Sequence, residues 1–117
     1  MYGYEDLIER DGINIILYET VGDYEGDYLV LVKKGRKYGF VSIGYGSCSG
    51  CDAYEACCSD ADFTELANDI IGEIRWFVSL KEAKSWITNE YDQKLQWYGN
   101  ESGYSTFARE VAEYSTR

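Results

Sequence analysis

The chain has 117 residues and a formal net charge of −10, from 21 acidic and 11 basic side chains, with 45% hydrophobic residues and neither histidine nor proline. That length bounds a single domain, residues 1–117, which can bury a core without metal or disulfides. The charge argues against direct binding of a phosphate backbone, which recruits Lys and Arg, and the missing proline excludes any mechanism built on a cis-proline.

The segment Met1–Arg10 has neither a basic n-region nor an apolar stretch. No window approaches the ~20 apolar residues of a membrane-spanning helix. The expectation is a cytoplasmic protein, of an infected or lysogenic bacterial host once the resemblance given below is included, with reduced thiols.

Strands are expected over about 13–45. Ile13-Asn14-Ile15-Ile16-Leu17-Tyr18-Glu19 is rich in β-branched residues and follows the turn pair Asp11-Gly12. Asp23–Asp27 reads as a turn, Tyr28–Lys33 as a second strand, and Tyr38–Tyr45 as a third after the turn Lys34-Gly35-Arg36. Short glycine-containing turns predict a three-stranded antiparallel meander. The second strand is apolar on both faces, which places it centrally.

Residues 46–58 read as a glycine-rich loop with four cysteines in eleven positions: Cys48, Cys51, Cys57 and Cys58. Helices follow over about 60–115. Ser59 or Asp60 caps the first, whose apolar positions Phe63, Leu66, Ala67, Ile70, Ile71, Ile74 and Phe77 follow helical spacing. Ser79-Leu80-Lys81-Glu82 is a capping box for the second, with Ala83, Trp86, Ile87, Tyr91, Leu95 and Tyr98 inward and Gly99 as its stop. A third starts near Gly103, with Tyr104, Phe107, Ala108, Val111 and Tyr114 inward. Strands followed by helices predict an α+β fold, the meander carrying about three helices on one face.

The cysteines allow three readings. Cys48-x-x-Cys51 has the spacing of a zinc half-site, and Cys57 with Cys58 would complete it, although four-cysteine sites ordinarily repeat the C-x-x-C pair. A redox pair conflicts with Asp52, Glu55 and Asp60, which raise a thiol pKa. The third reading is small thiols filling a tight turn. Asp23-x-Glu25-x-Asp27 resembles the start of a calcium loop, but Tyr28 and Lys34 stand where such a loop needs Gly and Glu. With no histidine base, no nucleophile elbow and no Walker-type loop, the chain is not expected to be an enzyme.

The first helix carries a row of carboxylates. Asp62, Glu65, Asp69 and Glu73 are spaced by three, four and four residues, and Asp60 extends the row. Such a row can imitate DNA phosphates toward a basic groove, or it is simply a solvated helix face. Lys33, Lys34, Arg36 and Lys37 surround one hairpin turn, so the molecule is bipolar and a whole-surface DNA mimic is not expected.

One resemblance adds to these readings. Tyr38-Gly39-Phe40-Val41, then Tyr45-Gly46-Ser47-Cys48-Ser49-Gly50-Cys51-Asp52-Ala53, Ala56-Cys57, Ile74-Arg75-Trp76-Phe77 and Ser79-x-x-Glu82-Ala83 run in this order. Over about 28–98 the chain resembles a group of small, acidic bacteriophage- and prophage-encoded proteins of unknown function. The resemblance implies matches at Cys48, Cys51 and Cys57 more than at Cys58, which weakens a four-thiolate zinc site. It also implies a phage protein that blocks host machinery, such as an anti-CRISPR inhibitor of a Cas nuclease.

The expected function is therefore non-enzymatic binding and inhibition of a basic, nucleic-acid-handling host defence protein. Asp60, Asp62, Glu65, Asp69 and Glu73 would be the contact row, with Tyr24 and Tyr54 as anchors. Alternatives are a zinc- or thiol-dependent module around Cys48 and Cys51, or a phage structural or scaffolding protein. No cofactor is required, and neither nucleic acid nor membrane is an expected direct partner.

Overall fold

The computed structural model describes residues 4–22, 26–45, 56–98 and 103–115, with side chains in the third segment described as far as Tyr91. Three long strands follow a short helix, α1 (Tyr4–Ile8): β1 (Asn14–Gly22), β2 (Gly26–Lys34) and β3 (Lys37–Tyr45). Then come α2 (Asp60–Gly72), a short β4 (Arg75–Phe77), α3 (Leu80–Tyr98) and α4 (Gly103–Glu113). The sheet is antiparallel throughout, in the order β1-β2-β3-β4. The α+β class and the meander are as the sequence predicts.

Turn chemistry fixes the meander. Lys34 pairs with Lys37, leaving Gly35 and Arg36 as a two-residue loop. Gly35 takes φ +61° at its first position, where the type II′ hairpin favours glycine. At the other end Gly22 pairs with Gly26. A side chain at Gly26 would run into the carbonyl of Val21, so that position admits glycine alone.

Both faces of the sheet are buried, which corrects the expectation of helices on one face. Tyr28, Val30, Val32, Val41 and Ile43 pack against α1 and α2, together with Tyr4, Leu7, Ile8, Ala67, Ile70 and Ile74. Leu29, Leu31, Tyr38, Phe40 and Phe77 pack against α3 and α4, through Ala83, Ile87, Tyr91, Phe107 and Val111. Alternation sends neighbouring residues of a strand to opposite faces. The uninterrupted apolar run Tyr28–Val32 therefore needs a cover on each side.

A bulge in β1 solves the same problem at the edge. Ile15 faces Val32 and Leu17 faces Leu31, which leaves Ile16 as the extra residue. Ile15 then joins the α1/α2 core, while Ile16 and Leu17 both reach the α3/α4 core.

The second correction concerns the first long helix, whose apolar spacing runs on to Phe77. The helix ends at Gly72 with Glu73 as its C-cap, and Arg75–Phe77 instead pairs with Tyr38–Phe40 as a fourth strand. Gly39 permits this. A Cβ there would sit 2.6 Å from Ile74 Cγ2 and 2.9 Å from Trp76 Cε3, so the bare backbone of β3 is what Ile74 and Trp76 cross.

Aromatic contacts knit each core. On the α3/α4 side Phe40 meets Trp86, Tyr91 and Phe107 at centroid distances of 5.6, 5.7 and 5.8 Å. Tyr91 stacks on Tyr104 at 5.3 Å, and the Tyr104 hydroxyl donates to Asp27 Oδ2 at 2.8 Å, tying α4 to β2. On the other side Tyr28 stacks on Tyr45 at 4.5 Å. The Tyr45 hydroxyl donates to the carbonyls of Val21 and Gly22 at 3.1 and 2.9 Å. Tyr45 and Tyr104 are structural, each with an apolar body packed against the core and a bonded polar tip.

Candidate binding surfaces on the two flanks of α2

Helix α2 starts where the sequence says it should. Ser59 is the N-cap, and its Oγ accepts the Asp62 N–H at 3.2 Å. Asp62 reaches back in turn, and its Oδ2 accepts the Cys58 N–H at 3.0 Å. Asp62 is thus part of the capping structure as well as of the acidic row.

At about 100° per residue, Asp62, Glu65, Asp69 and Glu73 fall within an arc of about 80°. All four are exposed. The apolar face of the helix, Ala67 and Ile70 with Phe63 and Leu66 partly buried, lies to one side of that arc. At about 1.5 Å per residue the row spans about 16 Å. Asp60 does not extend it: two residues before Asp62, it lies about 160° away around the helix axis.

The charges run against the helix dipole. The last turn of α2 holds no basic residue, and Asp69 and Glu73 stand at the end where the carbonyls accumulate negative charge. Glu65–Asp69 and Asp69–Glu73 are also like-charge pairs four residues apart. Helix stability alone would favour lysine there. Asp69 and Glu73 also line a shallow cavity of about 260 Å³ with Tyr4, Ser42, Ile43, Gly44, Leu66 and Ile70, so the row borders a recess between α1, α2 and β3.

The opposite flank of α2 differs. Ile71 lies about 160° from the middle of the acidic row and contributes to a cavity of about 490 Å³. Ile13 and Trp76 complete its apolar lining, and Lys34, Arg36 and Lys37 its basic one. The sequence reveals the basic hairpin but not this pocket, because Ile13, Ile71 and Trp76 come from three separate segments that only the fold joins.

Of the cysteines, Cys48 and Cys51 lie outside the described residues, as do Tyr24, Tyr54, Asp23 and Glu25. The metal reading of the cluster rests on those positions. Among the described residues no group of three or more Cys, Asp or Glu side chains is arranged to hold a metal ion. Cys57 is half-buried and its thiol is pushed above its ordinary pKa, first by desolvation, then by the negative charge of Asp62, Cys58 and Glu65. A raised pKa leaves little thiolate at neutral pH and makes Cys57 a poor nucleophile. The exposed Cys58 donates its Sγ–H to the Ala56 carbonyl at 3.6 Å. Asp27, the described residue of the calcium-like turn, accepts the Tyr104 hydroxyl.

One carboxyl cluster escaped the sequence. Glu19 on β1 stands against Glu110 on α4. Its pKa is raised by burial and by the hydrogen bond and negative charge of Glu110, partly offset by the Thr20 backbone. The helix periodicity of α4 and the alternation of β1 each place one of these residues, but their meeting depends on the bulge at Ile16.

No helix among the described residues is long and apolar enough to cross a membrane. Comparison of the chain with protein-family models, with curated proteins and with solved structures gave no match.

Proposed function

We propose that this is a non-enzymatic binding protein whose acidic α2 flank covers a basic surface of a nucleic-acid-handling partner. The observation that carries the reading is the row Asp62, Glu65, Asp69 and Glu73: four exposed carboxylates in one arc of a helix whose neighbouring face is locked into the core. A rigid row loses little conformational freedom on binding, and complementary charge accelerates encounter with a basic groove. That three of the four carboxylates repel one another or oppose the helix dipole supports selection for something other than stability.

Together with the resemblance to phage-encoded proteins, the row favours a host defence protein as target. A CRISPR nuclease, with its positively charged nucleic-acid channel, is the example that fits the charge. Occupying such a channel competes directly with nucleic acid, so inhibition follows from binding alone.

The test is affinity capture from a bacterial lysate treated with nuclease, followed by competition. The captured partner should release a labelled DNA or RNA as this protein is added. Glu65→Lys/Asp69→Lys/Glu73→Lys should lose both capture and competition while keeping its near-ultraviolet circular dichroism. Asp62 is left intact because its carboxylate also accepts the Cys58 N–H ahead of α2. Equal capture by both proteins would overturn the reading.

A further inference from the structure

The geometry points to a second site, on the flank of α2 opposite the acidic row: the cavity formed by Ile13, Ile71 and Trp76 with Lys34, Arg36 and Lys37 binds a small aromatic anion, a planar ring system carrying a phosphate or carboxylate. Three observations meet here. The cavity, about 490 Å³, falls in the range of small-molecule pockets, and its wall is apolar with a few charged groups.

Among the described residues its cations converge with no carboxylate in the cavity lining. Lys34 and Lys37 are direct cross-strand partners, a like-charge pairing that is unfavourable without an anion between them. Arg36 is held in the two-residue loop beside them, after Gly35 at φ +61°. Neighbouring cations are engaged elsewhere: Lys33 Nζ lies 5.3 Å from the ring centre of Tyr38, and the Arg75 guanidinium lies 4.8 Å from that of Trp86. In a chain of net charge −10, these three exposed cations line one cavity together.

The third observation is Trp76. It is half-buried in β4 opposite Gly39, whose missing Cβ lets the indole lie across the strand. An aromatic ring at the cavity wall offers a stacking surface, and the Lys34, Arg36 and Lys37 side chains offer charge-assisted hydrogen bonds to an anionic substituent.

Isothermal titration of the full chain tests this, with adenosine monophosphate for the phosphate class and indole-3-acetate for the carboxylate class. Adenosine, indole-3-acetamide and inorganic phosphate are the counterparts lacking charge or ring. The expected result is saturable binding of at least one aromatic anion, about tenfold or more tighter than its uncharged counterpart and than phosphate alone. Which anion binds distinguishes phosphate from carboxylate recognition. Arg36→Glu/Lys37→Glu should abolish it, while Lys81→Glu/Arg109→Glu, the same charge change on α3 and α4, should leave it intact.

Binding by neither anion would overturn the inference. So would equal binding of an anion and its uncharged counterpart, or equal loss in both double variants. The acidic flank plays no part, so Glu65→Lys/Asp69→Lys/Glu73→Lys should retain the ligand even where it loses the macromolecular partner.

Discussion

Asp69→Lys should make the protein more stable while weakening its proposed interaction. Asp69 is four residues from both Glu65 and Glu73 and lies in the last turn of α2. Each like-charge pair at that spacing costs about 0.2–0.5 kcal/mol, and reversing the central charge turns both into attractions, a gain of about 1 kcal/mol at the cautious end. Replacing a negative by a positive charge at a helix C-terminus adds about 0.5–1 kcal/mol for an exposed side chain. The total is about 1.5–2 kcal/mol. For a chain of this length each kcal/mol corresponds to about 3–5 °C in Tm.

Differential scanning calorimetry at low ionic strength should therefore show Tm rising by about 5–10 °C. Repeating it in 1 M NaCl, where the Debye length is about 3 Å, should remove most of the gain. A Tm that is unchanged or lower at low salt would refute the reasoning, as would a gain that survives high salt.

Three further outcomes follow from the packing. Gly39→Ala places a methyl 2.6 Å from Ile74 Cγ2 and 2.9 Å from the Trp76 ring; it should destabilise by about 1–3 kcal/mol in urea unfolding. Tyr104→Phe removes the bond to Asp27 and should lose about 1–2 kcal/mol. Glu19 has its pKa raised in the folded state, so the fold binds the proton more tightly than the unfolded chain. Stability from this group is full below the ordinary carboxyl pKa and is lost as pH rises through the raised one. Glu19→Gln should flatten that part of the pH–stability curve and stabilise the protein at pH 7, read by thermal unfolding between pH 4 and 8.

The sequence was most legible where one physical signal acted alone. Lys34-Gly35-Arg36 fixes a hairpin because glycine accepts a positive φ there. The Ser79 half of the capping box is realised as a 3.2 Å bond from the Glu82 N–H to Ser79 Oγ. The α4 stripe Tyr104, Phe107, Ala108 and Val111 is buried as its spacing predicts. Legibility failed where two signals competed. Ile74 and Phe77 satisfy helical spacing, but Gly72 and the open edge of β3 win, and a three-residue strand is too short to display alternation. Helix α1 is too short to show a period, yet Tyr4, Leu7 and Ile8 are among its buried residues.

The two-sided cover was available from Tyr28–Val32, five consecutive buried residues that helices on one face cannot shield. Of the candidate contacts, the acidic arc was readable because helix geometry alone defines it. The misplacement of Asp60 came from counting the row without its angle. The basic pocket was not readable, because its apolar wall is assembled from β4, the end of α2 and the residue before β1.

The most direct measurement is the equilibrium affinity of the captured partner for the wild-type protein and for Glu65→Lys/Asp69→Lys/Glu73→Lys, side by side across a salt series. The acidic flank of α2 predicts at least about a hundredfold weaker binding for the variant, and a wild-type affinity that falls steeply with salt. Equal affinities, or a wild-type affinity indifferent to salt, would contradict it.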